Sequence, residues 1–146
     1  MSLTSIFDVA GTGMSAQSMR LNTTASNIAN ADTASASADT VYRARHPVFA
    51  ALHQSAMGQN IAVVPPEGEE SIGVSVEGIV ESDAPLQPRY EPNHPQADED
   101  GYVWYPNVNV VEEMTNMISA SRSFQVNVDV MNSAKQMVQR VITLGQ

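Results

Sequence analysis

The chain has 146 residues and carries 16 acidic against 7 basic side chains, a formal net charge of −9, with three histidines and no cysteine. This length suits one ordinary domain, or a small domain flanked by long helices, and only 5% aromatic residues leave a small core built on Val, Ile, Leu and Met. The lack of cysteine excludes disulfides, thiol nucleophiles and thiolate-held metals, and the acidic balance opposes binding to nucleic acid or anionic membranes.

The opening residues, MSLTSIFDVAGTGMSAQ, have no basic n-region and are interrupted by Asp8, so no cleaved leader is expected. No apolar run approaches the roughly 18 residues that a membrane-spanning helix needs, so no membrane insertion is expected either. Phe7, Ala10, Met14, Gln17, Leu21, Thr24, Ile28 and Ala31 recur at spacings of three and four. That stripe predicts a helix from Ser5 to about Asn30, with Ser5 and Asp8 as its capping pair. Gly11 and Gly13 each cost about 1 kcal/mol relative to alanine, so the helix alone is marginal. The run Gly11-Thr12-Gly13 is read as small residues permitting close helix approach. A phosphate-binding turn needs a preceding strand and a third glycine, and neither is present.

Residues 33–40, TASASADT, read as linker. Pro47 to Leu52 and Ile61 to Val64 are short apolar pieces consistent with strands. Ile72, Val74, Val76 and Val80 alternate with small or acidic residues, the pattern of a half-buried strand. Pro85, Pro88, Pro92 and Pro95 then exclude both a helix and a central strand. Arg89 is the one base between residues 65 and 101, where the acidic excess is concentrated, so both chain ends are close to neutral. His94 beside Asp98, Glu99 and Asp100 lacks the ligand spacing of a calcium loop and is expected to be a solvated acidic turn; no metal, cofactor or catalytic residue is expected. His46 and His53 have no nucleophile nearby in sequence. Tyr102, Trp104 and Tyr105 are expected to anchor the preceding segment against the helix that follows.

That last helix is the strongest element. Val110, Met114, Met117, Ser121, Phe124, Val128, Met131, Lys135, Val138 and Ile142 keep three-four spacing over nearly five heptads. Asn109 and Glu112 supply its N-cap and N3 acid, and Gly145 stands where it would end. The chain between the helices is too short to cover so long a stripe, so something else must bury it. The methionines Met14, Met19, Met114, Met117, Met131 and Met137 suit contacts with several non-identical neighbours, or fill an intramolecular seam. The predicted fold is therefore α+β: an N-terminal helix (1–32), a linker (33–46), a β-rich insert (47–108) and a C-terminal helix (109–146). The two helices are expected to form an antiparallel, coiled-coil-like pair.

Two stretches carry a family likeness. Asn27-Ile28-Ala29-Asn30-Ala31-Asp32-Thr33 resembles the Asn-Ile-Ala-Asn-x-x-Thr signature of the rod and hook axial proteins of the bacterial flagellum. The run from His94 and Pro95 through Gly101, Tyr105, Pro106 and Asn107 to Gln125 is similar to the proximal-rod members of that family. The Pro-Gly-Tyr that follows the threonine in many relatives is missing here. The resemblance implies a structural subunit of the basal-body proximal rod, supporting motility, with its terminal helices packed into a drive shaft around an export channel. It implies export through the flagellar type III apparatus without cleavage, and a place in the rod across the periplasm. The partners it implies are further copies of the chain, FlgB, FlgF, the adaptor FliE and the distal-rod protein FlgG. On that reading the interface residues are Phe7, Met14, Leu21 and Ile28 with Val110, Met114, Met117, Phe124, Val128, Met131, Val138 and Ile142. Asn27 and Asn30 would cap the helix end locally or bond across to the partner helix. The residues alone leave two alternatives: a secreted coiled-coil module whose acidic insert binds a basic or calcium-bearing partner, and, ranked last, a small hydrolase using His94 with Asp98 or Glu99.

Overall fold

The computed structural model describes residues 3–53 and 71–144. Its elements in chain order are α1 (Leu3–Asn30), β1 (Arg45–His53), β2 (Ser71–Glu81), β3 (Gln87–Tyr90), β4 (Tyr102–Tyr105) and α2 (Val110–Leu144). Two terminal helices thus enclose a small β insert in an α+β fold, as the two stripes and the intervening alternation predict. The segment Ile61 to Val64 and Gly145 lie outside the described residues.

At about 1.5 Å per residue, α1 is about 42 Å long and α2 about 52 Å. Asn109 caps α2, its Oδ1 accepting from the amides of Val111 at 3.2 Å and Glu112 at 3.5 Å, and Glu112 and Glu113 place two acids on the positive first turn. The start of α1 differs from expectation. Because the helix already runs from Leu3, Ser5 and Asp8 lie inside it, and no acid occupies its first turn.

The helices pack antiparallel. Gly13 faces Asn127, the Arg20 guanidinium donates to Asn116 Oδ1 at 3.0 Å, and Asn27 Nδ2 donates to Glu113 Oε2 at 3.1 Å, so positions rising along α1 meet positions falling along α2. The buried residues of the two helices are mostly small: Ala10, Ala16, Thr23, Thr24 and Asn27 on α1, and Ala120 and Ala134 beside the larger Glu113 on α2. Narrow residues let the two backbones approach closely, which large side chains would prevent. Within this seam Gln17 Oε1 is buried without a hydrogen-bond partner.

The two glycines of α1 differ in kind. A Cβ at Gly13 would stand 2.9 Å from Asn127 Nδ2, whereas at Gly11 it would meet nothing within 4 Å, so close approach accounts for Gly13 alone. Gly11→Ala is expected to stabilise the chain by about 0.5 to 1 kcal/mol. Gly13→Leu is expected to lower stability by about 1 to 3 kcal/mol through overpacking. Chemical denaturation of the two variants checks the contrast.

β1 and β2 form an antiparallel ribbon that lies against α1. Its register shifts where Val48 pairs with Gly78 but Phe49 pairs with Val76, leaving Glu77 as an extra residue on β2. Such a bulge interrupts the alternation, and Val80, expected on the same half-buried face as Val74 and Val76, is instead exposed. β3 and β4 form a second antiparallel ribbon, with Pro88 on β3, which among the described residues has no second strand beside it, in keeping with the exclusion of proline from central strands. Trp104 also bridges Ser35, with both backbone hydrogen bonds at 2.9 Å, so the 33–40 segment is tied to β4.

Candidate assembly interface

The helix pair and the insert meet at residues 44 and 45, which are gripped by two asparagine side chains. Asn27, fully buried one turn before the end of α1, bonds both backbone groups of Arg45: its Oδ1 accepts from the amide at 2.9 Å and its Nδ2 donates to the carbonyl at 2.9 Å. The same Oδ1 accepts the Tyr42 hydroxyl at 2.8 Å, and the same Nδ2 reaches the buried Glu113 carboxylate. Only an amide side chain presents a donor and an acceptor side by side in this way. Asn107, between β4 and α2, accepts the Ala44 amide at 2.8 Å on Oδ1 and donates from Nδ2 to the carbonyls of Ser82 at 3.1 Å and Ala84 at 2.9 Å. Ala31, Ala44 and Val108 form a small apolar cluster beside this junction, packed by Tyr42 and Val110.

Partial burial, chiefly, raises the Tyr42 hydroxyl above the ordinary phenol pKa of 10.0; Glu113 and Glu81 push the same way and the Arg45 guanidinium opposes them. A phenol whose folded pKa is raised is held in its protonated form. Its contribution is complete below pH 10.0 and is lost as pH rises through the raised folded value. A Tyr42→Phe chain is therefore expected to be about 1 kcal/mol less stable at neutral pH and to lose less on further alkalinisation, a difference read from urea titrations at pH 8 and pH 11.

The other signature residues are accounted for locally. Asn30 Nδ2 donates to the Ser26 carbonyl at 2.8 Å, and Thr33 Oγ1 to the Asn30 carbonyl at 2.7 Å, closing the end of α1. Of the two roles open to the asparagine pair, Asn27 spans to α2 and to the β1 backbone, and Asn30 stays within its own turn. His94 Nδ1 accepts the Gln96 amide at 3.1 Å, and Asp98 Oδ1 accepts those of Asp100 at 3.1 Å and Tyr102 at 2.7 Å. His94 Nδ1 and Asp98 Oδ1 are thereby engaged in the loop's own turns, with Pro95 within it, while Glu99 and Asp100 are exposed. Gly101 has φ +82°, where side chains are strained, and the Tyr90 ring and Pro92 crowd it. Pro106 is fully buried. Among the described residues no three His, Asp or Glu side chains converge to hold a metal ion.

Tyr102, Trp104 and Tyr105 do not anchor the insert on α2. Tyr102 packs edge to face on Tyr90 with ring centres 5.4 Å apart, Tyr105 lies under the Arg89 guanidinium at 4.4 Å, and Trp104 bridges Ser35. Tyr102 and Tyr105 thus find their partners on the second ribbon, and Trp104 is tied to Ser35 through its backbone.

The stripe residues take two positions. Phe7, Met14, Leu21 and Ile28 on α1, and Val110, Met117, Phe124, Val128, Met131 and Val138 on α2, are half-buried along the flanks of the seam. Met114 and Ile142 are exposed, at 51% and 61%. A further apolar row winds along α2, from the side opposite Glu113 and Ala120 at Val111 and Ile118, through Val126, Val130 and Met137, to nearly the line of Ala134 at Val141; all six are exposed, with Val111 at 74%. Its spacings of four, seven and eight carry a helical signal of their own. Continuing the pairing register sets the start of α1 opposite Met137, so the last turns of α2, with Val138, Val141 and Ile142, run past the end of their partner. Among the described residues no helix is long and apolar enough to cross a membrane, so this apolar surface is not a spanning segment.

A paired-helix body with an apolar outer face and a clamped insert fits a subunit that packs against others. Comparison with known proteins agrees. Residues 7–36 match the family model for flagella basal body rod proteins, and residues 99–144 match that for the C-terminal part of the flagellar basal body rod FlgEFG proteins. The flagellar basal-body rod protein FlgC of Salmonella typhimurium is 45% identical over 146 residues, covering 100% of both chains. That of Yersinia enterocolitica is 46% identical over the same span, and that of Borreliella burgdorferi 37% identical over 152 residues, covering 100% of this chain and 99% of its own. The chain belongs to the FlgC family of flagellar basal-body rod proteins, a family of structural subunits.

Proposed function

We propose that this rod subunit polymerises through its terminal helices in the proximal part of the rod, forming a drive shaft that carries torque and encloses the export channel. On this reading its neighbours are further copies of itself, FlgB, FlgF, the adaptor FliE and the distal-rod protein FlgG. It reaches them through the flagellar type III apparatus without cleavage, occupies the part of the rod that crosses the periplasm, and catalyses nothing. The half-buried stripe residues from Phe7 to Ile28 and from Val110 to Ile142, and the exposed row beside them, form the packing surface.

The observation that supports this most is the exposed apolar row of α2. Burying one such side chain is worth about 1.5 to 3 kcal/mol, so six left in water on one helix are a large driving force for association. The near-neutral helix ends remove the repulsion that the acidic insert would otherwise impose at close range. An open, head-to-tail arrangement of such surfaces gives a helical tube instead of a closed ring.

Because the chain has no cysteine, an Ile118→Cys variant carries one thiol, at a position 56% exposed in the isolated chain. In the purified subunit that thiol should react with a maleimide at the rate of a free thiol. In basal bodies isolated from motile cells it should be protected at least tenfold. Equal labelling in both states would argue against packing through this face.

A further inference from the structure

The β1–β2 ribbon is long and narrow, and two-stranded ribbons have little stability of their own. β2 alone spans about 36 Å at about 3.3 Å per residue, so a tilt of about 10° at its root displaces its far end by about 6 Å. What fixes the root therefore fixes where the ribbon points. The incoming and outgoing strands are joined there by the Ser82 amide donating to the Ala44 carbonyl at 2.8 Å and by the Arg45–Glu81 ion pair at 2.9 Å, which is exposed on both sides and correspondingly weak. The Arg43 guanidinium adds a bond to the Ser82 carbonyl at 3.3 Å, and the other side-chain bonds to the root backbone come from the two asparagines. Asn27 holds the incoming strand to the end of α1 and, through Glu113, to the start of α2. Asn107, two residues before the cap of α2, holds the incoming strand at Ala44 and the outgoing strand at Ser82 and Ala84. Farther along, Thr12 Oγ1 accepts the Val74 amide at 3.3 Å, and Gly73 lies against the same hydroxyl. The ribbon is thus held along α1 at two heights, about 22 Å apart for the 15 residues from Thr12 to Asn27.

We propose that Asn27 and Asn107 are positioning residues that set the angle of the β1–β2 ribbon on the helix pair, and that load passes between the helices and the insert through this joint. The load-bearing half rests on the shaft reading above; the angle-setting half does not. Asn107 separates the two roles well. Its three bonds all go to the root of the ribbon and none to the helix seam, so its loss loosens the root, which Asn27 and Arg43 still hold in part, and leaves the helices paired.

The test uses the full chain with spin labels on Ala51→Cys in β1 and Asp129→Cys in α2, both exposed positions, with distances read by pulsed electron resonance. The parent chain should give one narrow distribution. Asn107→Ala should at least double its width at unchanged helical circular dichroism. Asn107→Asp keeps the bond to the Ala44 amide but loses both donor bonds, and should fall between; it decides the matter if the alanine variant fails to fold. A distribution as narrow in both variants as in the parent overturns the proposal. In cells, the Asn107→Ala chain should still build rods in normal number while swimming speed falls at least twofold in viscous medium. Normal speed under load with a broadened distribution overturns the load-bearing role and leaves the angle-setting role standing. Failure of the shaft reading itself would appear elsewhere, as unprotected labelling at position 118.

Discussion

A chain carrying Ile118→Lys and Val126→Lys is expected to fold as the parent does and to build no rods. Both side chains stand more than half exposed, at 56% and 60%, on the outer side of α2 and away from the Ala120 and Ala134 seam. Lysine has good helix propensity and its ammonium remains solvated at these sites, so the stability of the purified subunit should change by less than about 0.5 kcal/mol. In an assembled rod the same positions would face a neighbour. Burying an unpaired ammonium there costs several kcal/mol for each copy, and two in every subunit repeat that cost along the whole shaft. Motility on soft agar should be lost completely, with subunit still made at normal level. Wild-type swimming with both lysines in place would remove this face from the interface.

The second large effect is at Asn27. Replacing it with leucine keeps the volume and discards four hydrogen bonds. The amide and carbonyl of Arg45, the Tyr42 hydroxyl and the Glu113 carboxylate all lose a partner, the last in a buried setting and the others in a part-buried one. Each orphaned group costs about 1 to 3 kcal/mol, and these are coupled, so a total of about 4 kcal/mol is expected. Against a usual domain stability of about 5 to 15 kcal/mol, that leaves the chain close to unfolding at 37 °C. Asn27→Asp should be nearly as damaging. It still accepts from Tyr42 and Arg45, but brings a second carboxylate against Glu113 and leaves the Arg45 carbonyl without a donor. Glu113→Gln in the Asn27→Asp background replaces the repulsion with an amide donor and should restore about half of the loss. Urea unfolding of the four chains measures all of this; a leucine variant within 1 kcal/mol of the parent would show that the junction is not held by this amide.

The sequence was informative where a signal is local. Asn109 as the cap of α2, Pro47 to Leu52 as a strand and the paucity of strand partners around Pro88 all follow from residues within a few positions. The phase of the helix seam does not, because periodicity is weighted by large apolar side chains. Here Gly13 comes close to Asn127, and Ala10, Ala120 and Ala134, which carry little hydropathy, are buried, while Met117, Phe124 and Val128 are only half-buried. The start of α1 is hidden for a similar reason: Ser5 and Asp8 have capping chemistry, but Leu3 and Thr4 continue the helix ahead of them.

Long-range bonds were the other blind spot. Asn27 and Asn107 stand out in the family signatures, yet their partners lie up to 86 and 63 residues away, and nothing near them in sequence names Glu113 or Ala44. Aromatic residues just before a helix suggested packing on that helix. The strand pairing of Tyr102–Tyr105 with Gln87–Tyr90 decided otherwise. Likewise Ile72, Val74, Val76 and Val80 share one phase in sequence, and the bulge at Glu77 separates Val80 from Val74 and Val76.

In the rod, neighbouring subunits should cover the exposed apolar row of α2. A cryo-electron microscopy map of intact basal bodies, with this chain traced, tests it most directly. The expected result is density from adjacent subunits in van der Waals contact with Val111, Ile118, Val126, Val130, Met137 and Val141. A map in which that row faces open solvent or the central channel, with the subunits joined through the insert alone, would contradict it.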